Sequence, residues 1–191
     1  MSREIIAVLG KTGHGKSVWT RKFCASKKRL FVFDPLLDYP CRYLNFEELI
    51  DYFDEGFFDE GRNFCVGSGD PECLELLGAL NMLAGECMMI VEECAVALDK
   101  YGKIPSWLRD IVFLGRHRSA GILVTAQRAA SVPIDLRSQV SRLVTFAQSE
   151  GDDLAWLKPF VGIDIKMLPG LPPLSCIDCT ASEKTIYTIT P

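Results

Sequence analysis

Two short segments of this chain carry residue types that do chemistry. The first, GKTGHGKS (Gly10 to Ser17), fits the spacing G-x-x-x-x-G-K-[ST] at every position. Its glycines let backbone amides curl around phosphate oxygens, and a helix beginning there adds the positive end of its dipole. Gly10, Lys11, Thr12, Gly13, His14, Gly15, Lys16, Ser17 and Val18 are therefore the candidate nucleotide-binding set. Lys16 would reach the β- and γ-phosphates and Ser17 would bind Mg²⁺, with His14 contributing its backbone. The competing reading is a chance match in a turn, and a strand–loop–helix context disfavours it.

The second segment is MMIVEECA (Met88 to Ala95), where four apolar residues run into two carboxylates. A phosphate loop needs a carboxylate for the magnesium shell from the end of a buried strand, and Glu92 is placed for that. Hydrolysis also needs a group that orients or deprotonates water beside the metal, and Glu93 fits. On an extended strand the two side chains would face opposite ways, so the chain must turn at the strand's end. The plainer reading of the pair is a solvated strand terminus. A third element, GILVTAQ (Gly121 to Gln127), ends on a polar residue where ligands of parallel sheets gather, so Gln127 would sense the γ-phosphate or the attacking water. It reads equally as a loop-facing amide.

These residues need a frame. Short apolar runs stopped by glycine, proline or acid occur at 4–10, 29–35, 63–69, 87–91, 121–127 and 141–148 and read as strands. Helical patterns lie between them at about 16–25, 46–53, 71–85 and 106–118, the third with Pro71 in its first turn. Such alternation implies an α/β fold with a mainly parallel sheet covered on both faces. The tail differs: LPGLPPL (168–174) is a break, and 174–190 reads as an antiparallel hairpin on the sheet edge. The expectation is one domain over 1–191, with a core at about 4–160 and a β extension at about 168–191.

At 191 residues, 48% apolar and 24% charged, the chain has ordinary globular usage. No apolar run approaches the roughly 20 residues that cross a bilayer, and no signal peptide is visible, so a cytoplasmic protein without a membrane anchor is expected. The eight cysteines are scattered and read as reduced thiols. Cys176 and Cys179 lack the partners of a zinc site, and positions three apart on a strand face opposite sides. The net charge of −4 leaves no global basic field, so nucleic-acid contact would have to be local. The candidates are RKFCASKKR (Arg21 to Arg29) and LGRHRSAG (Leu114 to Gly121), the first of which also reads as the basic end of a helix.

The phosphate loop alone is shared by kinases, GTPases and motor ATPases, and the N-K-x-D element of guanine readers is missing. Taken in order, GKTGHGKS, RLFVFDPLLDY, MMIVEE and LGRHRSAGILVTAQR resemble the FtsK/HerA superfamily of DNA-pumping ATPases, over about residues 4–148. Within it the compact size is similar to viral genome-packaging ATPases, and the chain also resembles the ATPase part of zonula occludens toxin proteins. The resemblance implies an additional-strand, RecA-like P-loop core using ATP and Mg²⁺. It implies a homo-oligomeric ring, a pentamer or hexamer, that moves DNA, double-stranded for packaging, together with capsid or portal proteins in the host cytoplasm or on the virion. Carried over, Lys16 and Ser17 match the first motif, Glu92 and Glu93 the second, and Gln127 the sensor. The family usually has aspartate where this chain has Glu92. Its members complete the site with an arginine from the next subunit, for which Arg116, Arg137 and Arg142 are candidates. The alternatives are a toxin-like phage export ATPase, a small-molecule kinase, which usually has an arginine-rich lid that is not apparent here, and a nucleotide-binding scaffold without catalysis.

Overall fold

A computed structural model of the chain describes residues 3–54, 63–98 and 104–190. Among them the apolar runs become strands β1 (Ile5–Leu9), β2 (Arg29–Phe33), β3 (Arg42–Tyr43), β4 (Phe64–Ser68), β5 (Met88–Val91), β6 (Gly121–Ala126) and β7 (Arg142–Thr145). The tail adds β8 (Ser175–Thr180) and β9 (Lys184–Thr188). One sheet joins them in the order β3-β4-β2-β5-β6-β1-β7-β8-β9. The first seven strands pair in parallel, and β8 and β9 add antiparallel at the edge.

The decisive neighbour relation is in the middle. β6 lies between β1, which feeds the phosphate loop, and β5, which ends in the two glutamates. This inserted strand is the additional-strand arrangement, and it brings the ends of β1, β6 and β5 side by side at one edge of the sheet, with Leu9 opposite Ala126 and Val91 opposite Val124.

Side chains alternate across the sheet, as strand pleating requires. Ile5, Ala7, Leu9, Phe31, Phe33, Met89, Val91, Ile122 and Val124 face one side. There they pack under α2 (Phe46–Asp54), α3 (Cys73–Ala84), α5 (Ser106–Leu114) and α7 (Gly151–Val161). Ile6, Val8, Leu30, Val32, Met88, Ile90 and Leu123 face the other, where α1 (Lys16–Ala25) inserts Trp19 and Cys24 and the tail adds Cys176 and Ile189. Two short helices, α4 (Cys94–Ala97) and α6 (Ile134–Arg137), are the remaining α-helices among the described residues.

One expected boundary shifts, and two elements appear where the sequence assigned none. α3 begins at Cys73, because Pro71 and Glu72 form a separate turn closed by Cys73 N–H on the Asp70 carbonyl, with Glu72 N–H bonded to the Asp70 side chain. The region after β7 contains α7, which runs through Pro159 and passes into a 3₁₀ segment, Gly162–Gly170. The two-residue edge strand β3 is paired only by its register with β4. The paired thiols of CIDC separate as the strand period demands, with Cys176 buried on one face and Cys179 on the other.

Candidate active site

The phosphate loop sits between β1 and α1. Gly15 caps the helix at φ +113°, a conformation that a side chain would strain, and it packs against Phe146 and Leu174. Leu174 N–H also bonds the His14 carbonyl, so the tail braces the loop from outside. Lys11, Thr12 and Gly13 are exposed, whereas Lys16 is buried and donates from Nζ to the Gly10 carbonyl at 2.9 Å. Val18 packs on the second core face. The amides of Gly13, Gly15, Lys16 and Ser17 have no acceptor among the described residues, which leaves them free to bind an anion.

Glu92 and Glu93 stand across the cleft. Glu92 is 7% exposed, and its amide completes the edge by bonding the Phe33 carbonyl. Its carboxylate accepts from the Tyr39 hydroxyl on one oxygen and from the Thr125 hydroxyl on the other. Burial pushes its pKa above the usual carboxylate range, and the two hydroxyl donors pull against that shift. The chain then turns sharply. Glu93 adopts φ 48°, ψ 61°, a left-handed conformation that costs a non-glycine residue about 1–3 kcal/mol. The Thr125 Oγ1 accepts the Glu93 N–H at 2.9 Å and so pins the turn. This bend brings the Glu93 Oε1 to 3.8 Å from Lys16 Nζ, with Glu93 a third exposed.

Ser17, Asp34, Asp38, Tyr39, Glu92 and Glu93 line a cleft of about 220 Å³, with Pro35, Leu36 and Val96 as its apolar wall. Loop amides, an ammonium and a hydroxyl on one side, and carboxylates on the other, suit a polyphosphate with a hard, oxygen-seeking cation such as Mg²⁺. Gln127 follows β6 directly, so it leaves the sheet between the phosphate loop and the glutamates. It is exposed, and its carbonyl accepts from the buried Gln148 side chain at 2.9 Å.

The structure distributes the three arginine candidates differently. Arg142 opens β7 opposite Ile6, at the far end of the sheet from the loop. Its guanidinium makes two bonds to Asp178 on β8, 2.9 and 2.7 Å, and stacks over Trp19 and Phe23. It is paired inside its own chain. Arg137 ends α6 over Trp156, and its Nε has no hydrogen-bond partner among the described residues. Arg116 is exposed on the turn before β6, bonded to His117.

Residues that the sequence did not single out carry much of this site. Thr125 and Tyr39 hold Glu92, and Asp34 organises the loop after β2 by accepting from the Leu36 and Asp38 amides and from the Tyr43 hydroxyl. Arg128, next to Gln127, pairs with the fully buried Asp153 at 3.1 Å, and Asp153 also accepts the Ala130 amide. A polar residue at an otherwise apolar strand position was the available signal for Thr125.

The two basic segments converge. Lys27 and Lys28 precede β2, which Arg29 opens, and Arg116, His117 and Arg118 precede β6, so both groups lie at the edge of the sheet opposite the phosphate loop. Lys27, Lys28 and Ser119 line one shallow pocket, and Arg118 is tied to this region by its carbonyl, which accepts the Glu86 amide. Lys28, Arg116, His117 and Arg118 are exposed. Lys27 is paired with Glu4 at 3.0 Å.

No family model and no curated protein matches this sequence. Solved structures do. The chain is similar to the genome packaging NTPase B204 of Sulfolobus turreted icosahedral virus 2 in complex with sulfate, at a TM-score of 0.77 and 16% identity over 100% of this chain and 98% of that one. It also resembles VirB4 of Thermoanaerobacter pseudethanolicus, TM-score 0.64 and 10% identity over 97% and 89%. The N-terminal domain of zonular occludens toxin from Neisseria meningitidis gives 0.55 and 16% over 100% and 96%. The fold is thus shared along nearly the whole chain.

Proposed function

We propose that this chain is an ATPase that drives double-stranded DNA into a viral or prophage capsid, acting as a homo-oligomeric ring of five or six copies in the host cytoplasm. The observation that carries the reading is the Glu93 turn: a strained backbone, pinned by Thr125, that aims a carboxylate at the phosphate-loop lysine. A nucleotide-binding scaffold has no use for such a device. B204, the structure this chain follows from end to end, is described as a genome packaging NTPase and was solved with AMP, AMPPCP and ATP-gammaS.

In this mechanism the loop amides and Lys16 bind the phosphates, and Ser17 and Glu92, whose carboxylate is fixed by the Tyr39 and Thr125 hydroxyls, would hold a Mg²⁺ ion. The ion would supply positive charge against the transferred phosphoryl group. Glu93 takes the proton of the attacking water, and Gln127, between loop and base, orients that water. Arg116, Arg137 and Arg142 are the candidates to serve a neighbouring subunit, with Arg142 the one already paired to Asp178, a contribution of about 10³ to 10⁵ in rate in related enzymes. The converged basic edge gives DNA phosphates a surface remote from the nucleotide, and capsid or portal proteins would meet the assembled ring.

A zonular occludens toxin-like export ATPase is the second reading, favoured by the likeness to that domain. ATPase activity of the purified protein is measured with and without double-stranded and single-stranded DNA. Stimulation by duplex supports packaging, and stimulation by single strands alone supports export. Hydrolysis indifferent to DNA, with no DNA binding at low salt, contradicts both.

A further inference from the structure

The segment from Asp34 to Tyr43 leaves the end of β2, carries Tyr39 to the Glu92 carboxylate, and returns to the sheet as β3. It is closed on itself by the Tyr43 hydroxyl, which donates to Asp34 and accepts the Tyr39 amide, and by Cys41 N–H on the Tyr39 carbonyl at 2.8 Å. Cys41 directly precedes β3, and the parallel register of Arg42 with Val66 sets it beside Cys65 on β4. Both cysteines are half-buried and pack on the same face of the sheet.

Gly67 explains how closely they meet. Residues 65 and 67 share a face of β4 by the strand's period of two. The Cys41 Sγ lies 2.9 Å from where a Cβ on residue 67 would stand, so it occupies that face directly, in space that only glycine leaves open. Each thiol shifts the other's ionisation. Neighbouring strands lie about 4.8 Å apart, inside the roughly 4.4–6.8 Å that disulfide-linked Cα atoms span.

We propose that Cys41 and Cys65 are a redox-active pair that closes to a disulfide across the β3–β4 edge when it meets a low-molecular-weight disulfide, altering the hold of Tyr39 on Glu92. Cys41 is the attacking group, since its interaction with Cys65 lowers its pKa, while that same interaction and burial raise that of Cys65. The Cys41 thiolate attacks one sulfur of the oxidant and displaces a small thiolate, which takes the Cys65 proton. Cys65 then attacks the Cys41 sulfur of the mixed disulfide and displaces the second small thiolate. Two protein thiols become one disulfide, and one small disulfide becomes two thiols. The competing neighbour, Cys24, is 5% exposed with its thiol pushed up to about 12 by burial, which protects it.

Closure joins the two neighbouring thiols by a covalent S–S bond of about 2.05 Å and draws Cys41 toward β4. The pull passes through the Cys41–Tyr39 backbone bond to the residue that holds Glu92. The pairing itself is independent of the ATPase reading, and only its effect on turnover rests on that reading.

The test treats the full chain with oxidised glutathione, alkylates remaining thiols and maps the peptides by mass, with ATP turnover measured in parallel. The expected result is a single Cys41–Cys65 linkage that dithiothreitol reverses. Turnover falls several-fold on oxidation and recovers on reduction, and Cys65→Ser and Cys41→Ala each resist the change. Free thiols at both positions, a glutathione adduct that stays on Cys41, or linkage to Cys24 would overturn the pair. A linkage that leaves turnover unchanged would overturn its coupling to Glu92. If neither form hydrolyses ATP, the mass map still decides the disulfide, and the failure belongs to the ATPase reading.

Discussion

Thr125 Oγ1 accepts the Glu93 amide at 2.9 Å and, with the same hydroxyl, donates to the Glu92 carboxylate. One side chain on the inserted strand therefore sets the posture of both glutamates, and the strand that carries Gln127 is mechanically joined to the base. Thr125→Val removes both bonds while keeping the shape. We expect stability to fall by about 1–3 kcal/mol, because a buried carboxylate oxygen loses its partner, and turnover to fall at least tenfold as the Glu93 turn relaxes. Thr125→Ser should keep most of both. Thermal melting and steady-state ATPase assays separate the two effects.

Burial raises the Glu92 pKa in the folded protein above its unfolded value. The stability linked to this group is therefore fully present below the unfolded pKa and is lost as pH rises through the folded one. The nucleotide-free protein should lose stability relative to Glu92→Gln as pH increases from the ordinary carboxylate range toward neutrality. Melting temperatures of the two proteins measured across that range should diverge in favour of the variant. A constant difference would show that Glu92 does not titrate in this way.

Arg142 holds Asp178, which is nearly buried, and lies over two aromatic rings of α1. Arg142→Met should destabilise the protein by about 3 kcal/mol, since it strands a carboxylate. ATP turnover per folded molecule should remain, which an arginine acting on a neighbour's nucleotide would not allow. Denaturant unfolding and activity normalised to folded protein check both halves.

The basic edge makes a salt-dependent prediction. Lys28→Ala, Arg116→Ala and Arg118→Ala together should weaken duplex binding uniformly across sequences. The slope of log affinity against log salt should become shallower by about 0.9 for each DNA phosphate that is no longer neutralised. Fluorescence anisotropy over a salt series measures the slope, and an unchanged slope would place DNA elsewhere.

Much of the frame is legible in the sequence because buried parallel strands read as short apolar runs with sharp stops. The runs at 4–10 and 121–127 overlay β1 and β6 within a residue or two. The phosphate loop is legible for the same local reason: its glycines and lysine act through backbone geometry that the spacing itself encodes. The turn at Glu93 is different. A left-handed glutamate is locally unfavourable and persists because Thr125, 32 residues away, holds its amide. The pairing of Arg142 is hidden for a similar reason, since its carboxylate arrives 36 residues later on β8. Helix α7 is hidden by Pro159, tolerated in its last turns.

The central claim is that Glu93 activates water for hydrolysis, and Glu93→Gln tests it most directly. The substitution keeps the size of the side chain and removes its capacity to accept a proton. ATP binding, measured by calorimetry with Mg²⁺ present, should persist, while single-turnover hydrolysis falls at least about a thousandfold. Hydrolysis retained within a few-fold of the parent chain would contradict the account.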